Sequence, residues 1–317
     1  MTAAVVTMSH SPLIGRSDPN PAAVHRIYSA LGQARDFVAD FAPELVVLYV
    51  PDHYNAFFHK TMPQFCLGVD AYSVGDFGSR PGPLLVDTVA AELLAQGVLD
   101  RGIDPAISAR MPVDHGFVQP TKILFGGIDR MLVVPVFING VAAPFGLPHR
   151  IRSLGLALGQ AARELQKQVL FVGSGGLSND LPMPSIMSAT QRVAEPLIEG
   201  HPTPEQRARI EHRVLVTGVN YRAGARSPIP INPHWDNHVL DVFEHGTSTR
   251  STAGARPGWV KRAAAPRTRS APGSRLTPRS LQPAAITRQH GSMNQCRNGL
   301  SASRLPPPSA RRLLDDR

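Results

Sequence analysis

The stretch Leu45-Val46-Val47-Leu48-Tyr49-Val50-Pro51-Asp52-His53-Tyr54-Asn55 decides the fold. Its first six residues are apolar, β-favouring and without polar alternation, as expected of a strand covered on both faces. Proline then ends the run, and a polar turn presents an imidazole. Two other segments share this grammar: Ala3–Met8 leads into Ser9-His10-Ser11-Pro12, and a short run leads into Val113-Asp114-His115-Gly116-Phe117. In an α/β sheet, ligand sites form outside the carboxyl ends of the strands. Imidazole is both the commonest metal ligand and the commonest acid or base near neutral pH. The pattern therefore predicts a metal-dependent enzyme, with His10, His53 and His115 meeting at the mouths of adjacent strands.

Outward from this stretch, strands and helices alternate. Asn20-Pro21 sets a cap before a proline suited to the first helical position. Val24, Ile27, Leu31, Ala34, Phe37 and Val38 recur at helical spacing to about Phe41. Leu84–Leu99 reads as a second helix, ended near Gly102. Met131–Ile138 and Val169–Val172 read as buried strands flanking a helix around Ile151–Gln166. Further helices are expected near Ala189–Glu199 and Pro204–Tyr221. This order predicts a three-layer α/β/α domain with a central sheet over residues 1–246.

The net charge of +9 over 317 residues suggests a nucleic-acid partner until it is located. Residues 247–317 hold 13 Arg and 1 Lys against Asp315 and Asp316, so residues 1–246 carry a net charge of −3. The basic segment is rich in Arg, Pro, Ser and Ala and lacks periodicity or aromatic interleaving, which predicts a disordered tail rather than a nucleic-acid arm. No apolar run is long enough for a membrane span. The N-terminus has neither a basic n-region nor a long apolar h-region, so no signal peptide is expected. Cys66 and Cys296 are far apart and lack metal-ligand spacing. A reducing cytoplasm is the expected location.

Over roughly residues 5–246 the chain resembles the type III extradiol catechol dioxygenases. The resemblance rests on the three histidine segments together with Phe65-Cys66-Leu67-Gly68, Gly75-Asp76-Phe77-Gly78-Ser79, Pro135-Val136-Phe137-Ile138-Asn139-Gly140, Gly173-Ser174-Gly175-Gly176-Leu177-Ser178 and Asn232-Pro233-His234-Trp235-Asp236-Asn237. Each block is weak alone, and the ordered set is specific. The resemblance implies O2-dependent ring cleavage of a catechol at non-haem Fe(II), held by two histidines and a carboxylate. Residue by residue, it implies that His10 and His53 are iron ligands and that His115 is the acid assisting ring opening. It also implies 2,3-dihydroxyphenylpropionate or its cinnamate analogue as substrate, a role in aromatic catabolism, and homo-oligomeric assembly. Asp52 and Asp114 are equally readable as imidazole-orienting partners and as turn formers. Ser174 is not read as a hydrolase nucleophile, because its spacing is not Gly-x-Ser-x-Gly. The remaining histidines before the tail, among them His59, read as surface or packing residues.

Two departures from the family pattern stand out. Asn179 occupies the position of the histidine that takes the catechol proton, and an amide cannot accept a proton at neutral pH. The Gly-x-Ser-x-His-Glu-x-x-x-Trp motif, whose glutamate the resemblance implies as third ligand, is missing from residues 247–317. Yet codons for the segment starting at Ala263 can, in another frame, read Gly-Arg-Ser-Ala-His-Glu-Val-Arg-Thr-Trp. A frame shift near Gly246–Thr247 would account together for the charge step, the lost periodicity and the missing motif, and would leave the catalytic domain incomplete at its C-terminal end. The same departures open the alternative of an inactive remnant or non-catalytic catechol-binding protein.

Overall fold

A computed structural model describes residues 2–16, 20–178, 186, 189–200, 202–225 and 231–245. Asn179 and the tail read as disordered lie outside the described residues. The elements are β1 (Ala3–Ser9), α1 (Pro21–Phe41), β2 (Leu45–Val50), β3 (Phe65–Gly68), β4 (Ala71–Ser73), β5 (Gly82–Pro83), α2 (Thr88–Leu99), β6 (Ala106–Ser108), β7 (Met111–Val113), α3 (His115–Phe125), β8 (Val133–Ile138), α4 (Pro148–Glu164), β9 (Val169–Gly175), α5 (Gln191–Glu199), α6 (Pro204–Arg222) and α7 (Pro233–His245). A 3-10 turn spans Asp76–Gly78.

The main sheet has the order β1-β9-β2-β8-β3-β6, and a small second sheet has the order β5-β4-β7. β1, β9, β2 and β8 are parallel, whereas β3 runs antiparallel to β8. β2 lies between β9 and β8, which is why its sequence is apolar on both faces. Val46, Leu48 and Val50 enter one core with residues of α1 and α3. Leu45 and Val47 enter the other with residues of α2 and α4. Helices thus cover both faces, giving the expected three layers. Complete burial of an aliphatic side chain is worth about 1.5–3 kcal/mol, so the doubly covered β2 is the mechanical floor of the site.

Three details differ from the sequence reading. First, α2 starts at Thr88, because Leu84–Val86 is held extended: Leu84 N–H donates to the Ala71 carbonyl at 2.9 Å and Leu85 N–H to that of Ile128 at 3.0 Å. Asp87 then caps the helix, accepting from Ala90 N–H at 3.0 Å. Second, α3 and α7 were not anticipated. Third, β1 and β2 are not neighbours, since β9 separates them, and β7 belongs to the small sheet. The histidines therefore reach one place from strand ends in two sheets rather than from adjacent strands. No helix among the described residues is long and apolar enough to cross a membrane.

Candidate metal and active site

His10 follows β1 directly, His53 sits three residues beyond β2, and His115 is the first residue of α3, just after β7. Their ring centroids lie 5.2 Å (His10–His53), 5.6 Å (His10–His115) and 4.8 Å (His53–His115) apart. One ring nitrogen from each lies within 4.8 Å of the others.

Each Nδ1 already has a partner. His53 Nδ1 donates to Asp114 Oδ2 at 2.8 Å, and His115 Nδ1 donates to Asp76 Oδ2 at 2.5 Å. His10 Nδ1 lies 2.8 Å from Ser174 Oγ. The direction of that last bond follows from a proline. Pro120 inside α3 has no N–H, so it cannot satisfy the Gly116 carbonyl four residues earlier. Ser174 Oγ donates to that carbonyl at 3.2 Å, which leaves its lone pair to accept from His10 Nδ1–H. All three rings are thereby held in the tautomer that leaves Nε2 open, the arrangement a metal-ligating imidazole needs.

Asp114 performs both roles weighed for it. Its Oδ2 also accepts His53 N–H at 2.8 Å, while Oδ1 caps α3 by accepting Gly116 N–H at 2.8 Å. Asp52, in contrast, is a turn former: its carboxylate accepts the backbone N–H groups of Asn55, Ala56 and Phe57. Asp76 lies in the Gly75–Ser79 motif, and nothing in its spacing marks it as an imidazole partner. It clamps His115 twice, accepting His115 N–H at Oδ1 over 2.7 Å as well as Nδ1–H. The flanking chain is strained where it makes these contacts. Tyr54, immediately after His53, has φ 58°, and Phe77, immediately after Asp76, has φ 48°. Left-handed non-glycine residues cluster at functional sites, where surrounding structure must hold them. The Phe77 ring packs edge-on against His115, centroids 5.0 Å apart.

Burial is the main cause that lowers the His10 pKa to about 3, helped by His53 and His115 and opposed by Asp114. Burial pushes His53 the same way, but Asp114 outweighs it and raises the value. Burial would raise Asp114; facing His53, it is instead held well below the usual carboxylate range. Burial and Asp114 push Asp52 up to about 7 against its backbone donors. The cluster thus sets a buried imidazole that resists protonation beside one whose protonation Asp114 favours, and metal binding at the latter would compete with the proton.

These donors suit a divalent metal: clustered, largely buried imidazoles with fixed tautomers and a nearby negative charge. Among the described residues no glutamate joins the group. Two of the sequence motifs also meet here. Asp236 of α7 accepts both the N–H and the hydroxyl of Ser178 at 2.9 Å, so the residue before Asn179 is anchored. His59, read as an ordinary residue, borders the site by pairing its Nε2 with the Tyr54 hydroxyl at 3.1 Å. Arg207, at the start of α6, was not foreseen: its Nη1 donates to Asn55 Oδ1 at 2.7 Å.

Comparison with known proteins gives this geometry a family. Residues 4–262 match the family model described as the catalytic LigB subunit of aromatic ring-opening dioxygenase. The chain is 48% identical over 264 residues to a 2,3-dihydroxyphenylpropionate/2,3-dihydroxicinnamic acid 1,2-dioxygenase of Rhodococcus sp, covering 83% of this chain and 84% of that one. Identity to the Rhodococcus jostii (strain RHA1) protein of the same name is 49% over 247 residues, covering 78% of this chain and 79% of that one. For a Pseudomonas putida protein so named, with the suffix 1, it is 45% over 247 residues, covering 77% and 78%. The chain belongs to the LigB family of metal-dependent, ring-opening extradiol dioxygenases.

Proposed function

We propose that this chain carries the site for extradiol cleavage of 2,3-dihydroxyphenylpropionate and 2,3-dihydroxycinnamate by O2, with Fe(II) as the metal. One observation carries the reading: three clustered imidazoles, His10 and His115 buried and His53 partly so, are each engaged through Nδ1, which leaves Nε2 for a shared metal in a chain of this family. His10 and His53 would hold the iron, and His115 would stand beside it. Ferrous iron held there would supply the Lewis acid and electron source that let O2 react with a catechol.

The chain's own residues supply the proton chemistry. Asp76 accepts from His115 Nδ1–H and keeps Nε2 aimed at the site, where His115 would pass a proton to oxygen as the ring opens. Asp114 keeps His53 oriented, and Ser174 does the same for His10. Asn179 stands where the family places a base; its amide can hydrogen-bond a catechol hydroxyl without taking the proton. Losing a positioned base costs on the order of 10²–10⁴ in rate, so turnover should be slow. No glutamate stands with the three histidines among the described residues; the carboxylates grouped there are Asp76 and Asp114, which accept from His115 and His53. We place the protein in the cytoplasm, in aromatic catabolism, as a homo-oligomer with neither nucleic-acid nor membrane partners. Exposed Ile210, Val219, Tyr221 and Phe243 on α6 and α7 are consistent with contact between copies.

The test is anaerobic loading with Fe(II), addition of the catechol, then air, following O2 uptake and the yellow ring-fission product. Slow turnover that rises on Asn179→His, and again when the Gly-x-Ser-x-His-Glu segment is restored in frame, supports the reading. O2 uptake without ring opening, or no turnover after both repairs, contradicts it. A chain that binds the catechol and turns over only after both repairs is the non-catalytic remnant.

A further inference from the structure

We propose that Arg207 is the residue that recognises the carboxylate of the substrate side chain and so selects catechols bearing an anionic arm; this rests on the catechol reading of the site. α6 touches the surroundings of all three histidines. Arg207 bonds Asn55, two residues past His53. The helix packs against the 3-10 turn that carries Asp76, the partner of His115. At Gly218 it approaches the loop after His10 so closely that a Cβ would lie 2.8 Å from Leu13 Cδ2. α6 is therefore the rim of the pocket, and Arg207 is its cation on the His53 side.

The Arg207 guanidinium is half-buried and forms no salt bridge among the described residues. Its one hydrogen bond there ends on Asn55, whose Nδ2 in turn donates to His53 O at 3.3 Å. Of the other cations around the site, Lys60 is exposed and paired with Glu199, Arg80 pairs with Asp129, and Arg16 donates to the Phe77 carbonyl on the His115 side, away from Asn55. A guanidinium presents five donors in a fork that matches a carboxylate, and a single amide contact leaves most of that fork open. The catechol diol must sit at the histidines, so a short chain ending in a carboxylate next to the diol points its charge toward the pocket wall. Asn55 holds the fork in place before the ligand arrives, which limits the ordering cost of binding.

The experiment is calorimetric titration of the full chain with Fe(II) present and O2 excluded, using 2,3-dihydroxyphenylpropionate and 3-propylcatechol, which matches its length but lacks the charge. The wild type should prefer the acid by on the order of 10- to 100-fold. Arg207→Met should reduce that preference to near unity, and Arg207→Lys should recover part of it. If Arg207→Met keeps the preference, the assignment is wrong while the catechol reading stands. If it weakens both ligands equally, Arg207 only holds Asn55 and the assignment again fails. If the wild type binds neither catechol, the functional reading falls and takes this inference with it.

Discussion

Asp114→Asn isolates the residue on which the site converges, because it removes charge and acceptor capacity without opening a cavity. Asp114 is fully buried and meets three close donors, His53 N–H and Nδ1–H at Oδ2 and Gly116 N–H at Oδ1, each at 2.8 Å. An amide offers one oxygen and one NH2. With oxygen toward Gly116, the NH2 confronts the fixed His53 backbone N–H and forces the ring to move its proton to Nε2, where the metal should bind. With oxygen toward His53, the α3 cap is lost. Either way a buried N–H is unpaired, which costs about 1–3 kcal/mol. Metal affinity should fall about 10–100-fold, the range for losing an imidazole's orienting partner. Urea unfolding of the metal-free protein and Fe(II) binding against a competing chelator measure the two effects. Stability within 0.5 kcal/mol of wild type (about the scatter of neutral surface changes) together with unchanged affinity would refute the reasoning.

Other outcomes follow from the same contacts. His10 titrates at about 3 when folded, well below its ordinary value of 6.5, so between those values the unfolded chain binds more protons. The His10 contribution to metal-free stability should therefore fall on acidification through this window by up to about 1.4 kcal/mol per pH unit, while Asp52, its carboxyl pushed up to about 7, contributes with the opposite sign. His53 acts at the other end: its raised value makes its contribution complete below 6.5 and lost as pH rises through the folded pKa. Chemical denaturation of wild type and His10→Gln across pH isolates the His10 contribution: the two profiles should differ in slope on the acid side of the ordinary imidazole pKa, and parallel profiles there would contradict this. Gly116→Ala should destabilise by about 1–3 kcal/mol through overpacking. Its Cβ would lie 2.8 Å from Val50 Cγ1, 2.9 Å from Asp114 Oδ1 and 3.2 Å from His10 Cε1, so metal affinity should fall too. A variant of wild-type stability and affinity would show that the histidine pocket is looser than these contacts require.

What the sequence could reveal depended on how long each pattern ran. β2 was readable because both its faces are covered, and α1 because Asn20 and Pro21 mark its start and its apolar stripe runs for 21 residues. α3 was not, since His115, Gly116 and Pro120 are poor helix formers. It exists because Asp114 caps it and Phe117, Val118 and Leu124 are buried. The small sheet escaped because its strands are two or three residues long, too short for alternation to register. In the site, histidines at strand ends were legible, but their partners were less so. Asp76 lies 39 residues from His115, and only its position between two glycines in Gly75–Gly78 hinted that backbone there is bent for a purpose. Arg207 reaches Asn55 across 152 residues, a pairing that spacing does not encode.

Anaerobic titration with Fe(II) against a competing chelator, across single alanine substitutions of the three histidines, tests the central claim most directly. Saturable binding should be lost in His10→Ala and His53→Ala by more than the ~10–100-fold that an orienting partner costs. His115→Ala should retain the metal. Binding that is indifferent to both His10 and His53 would contradict the account.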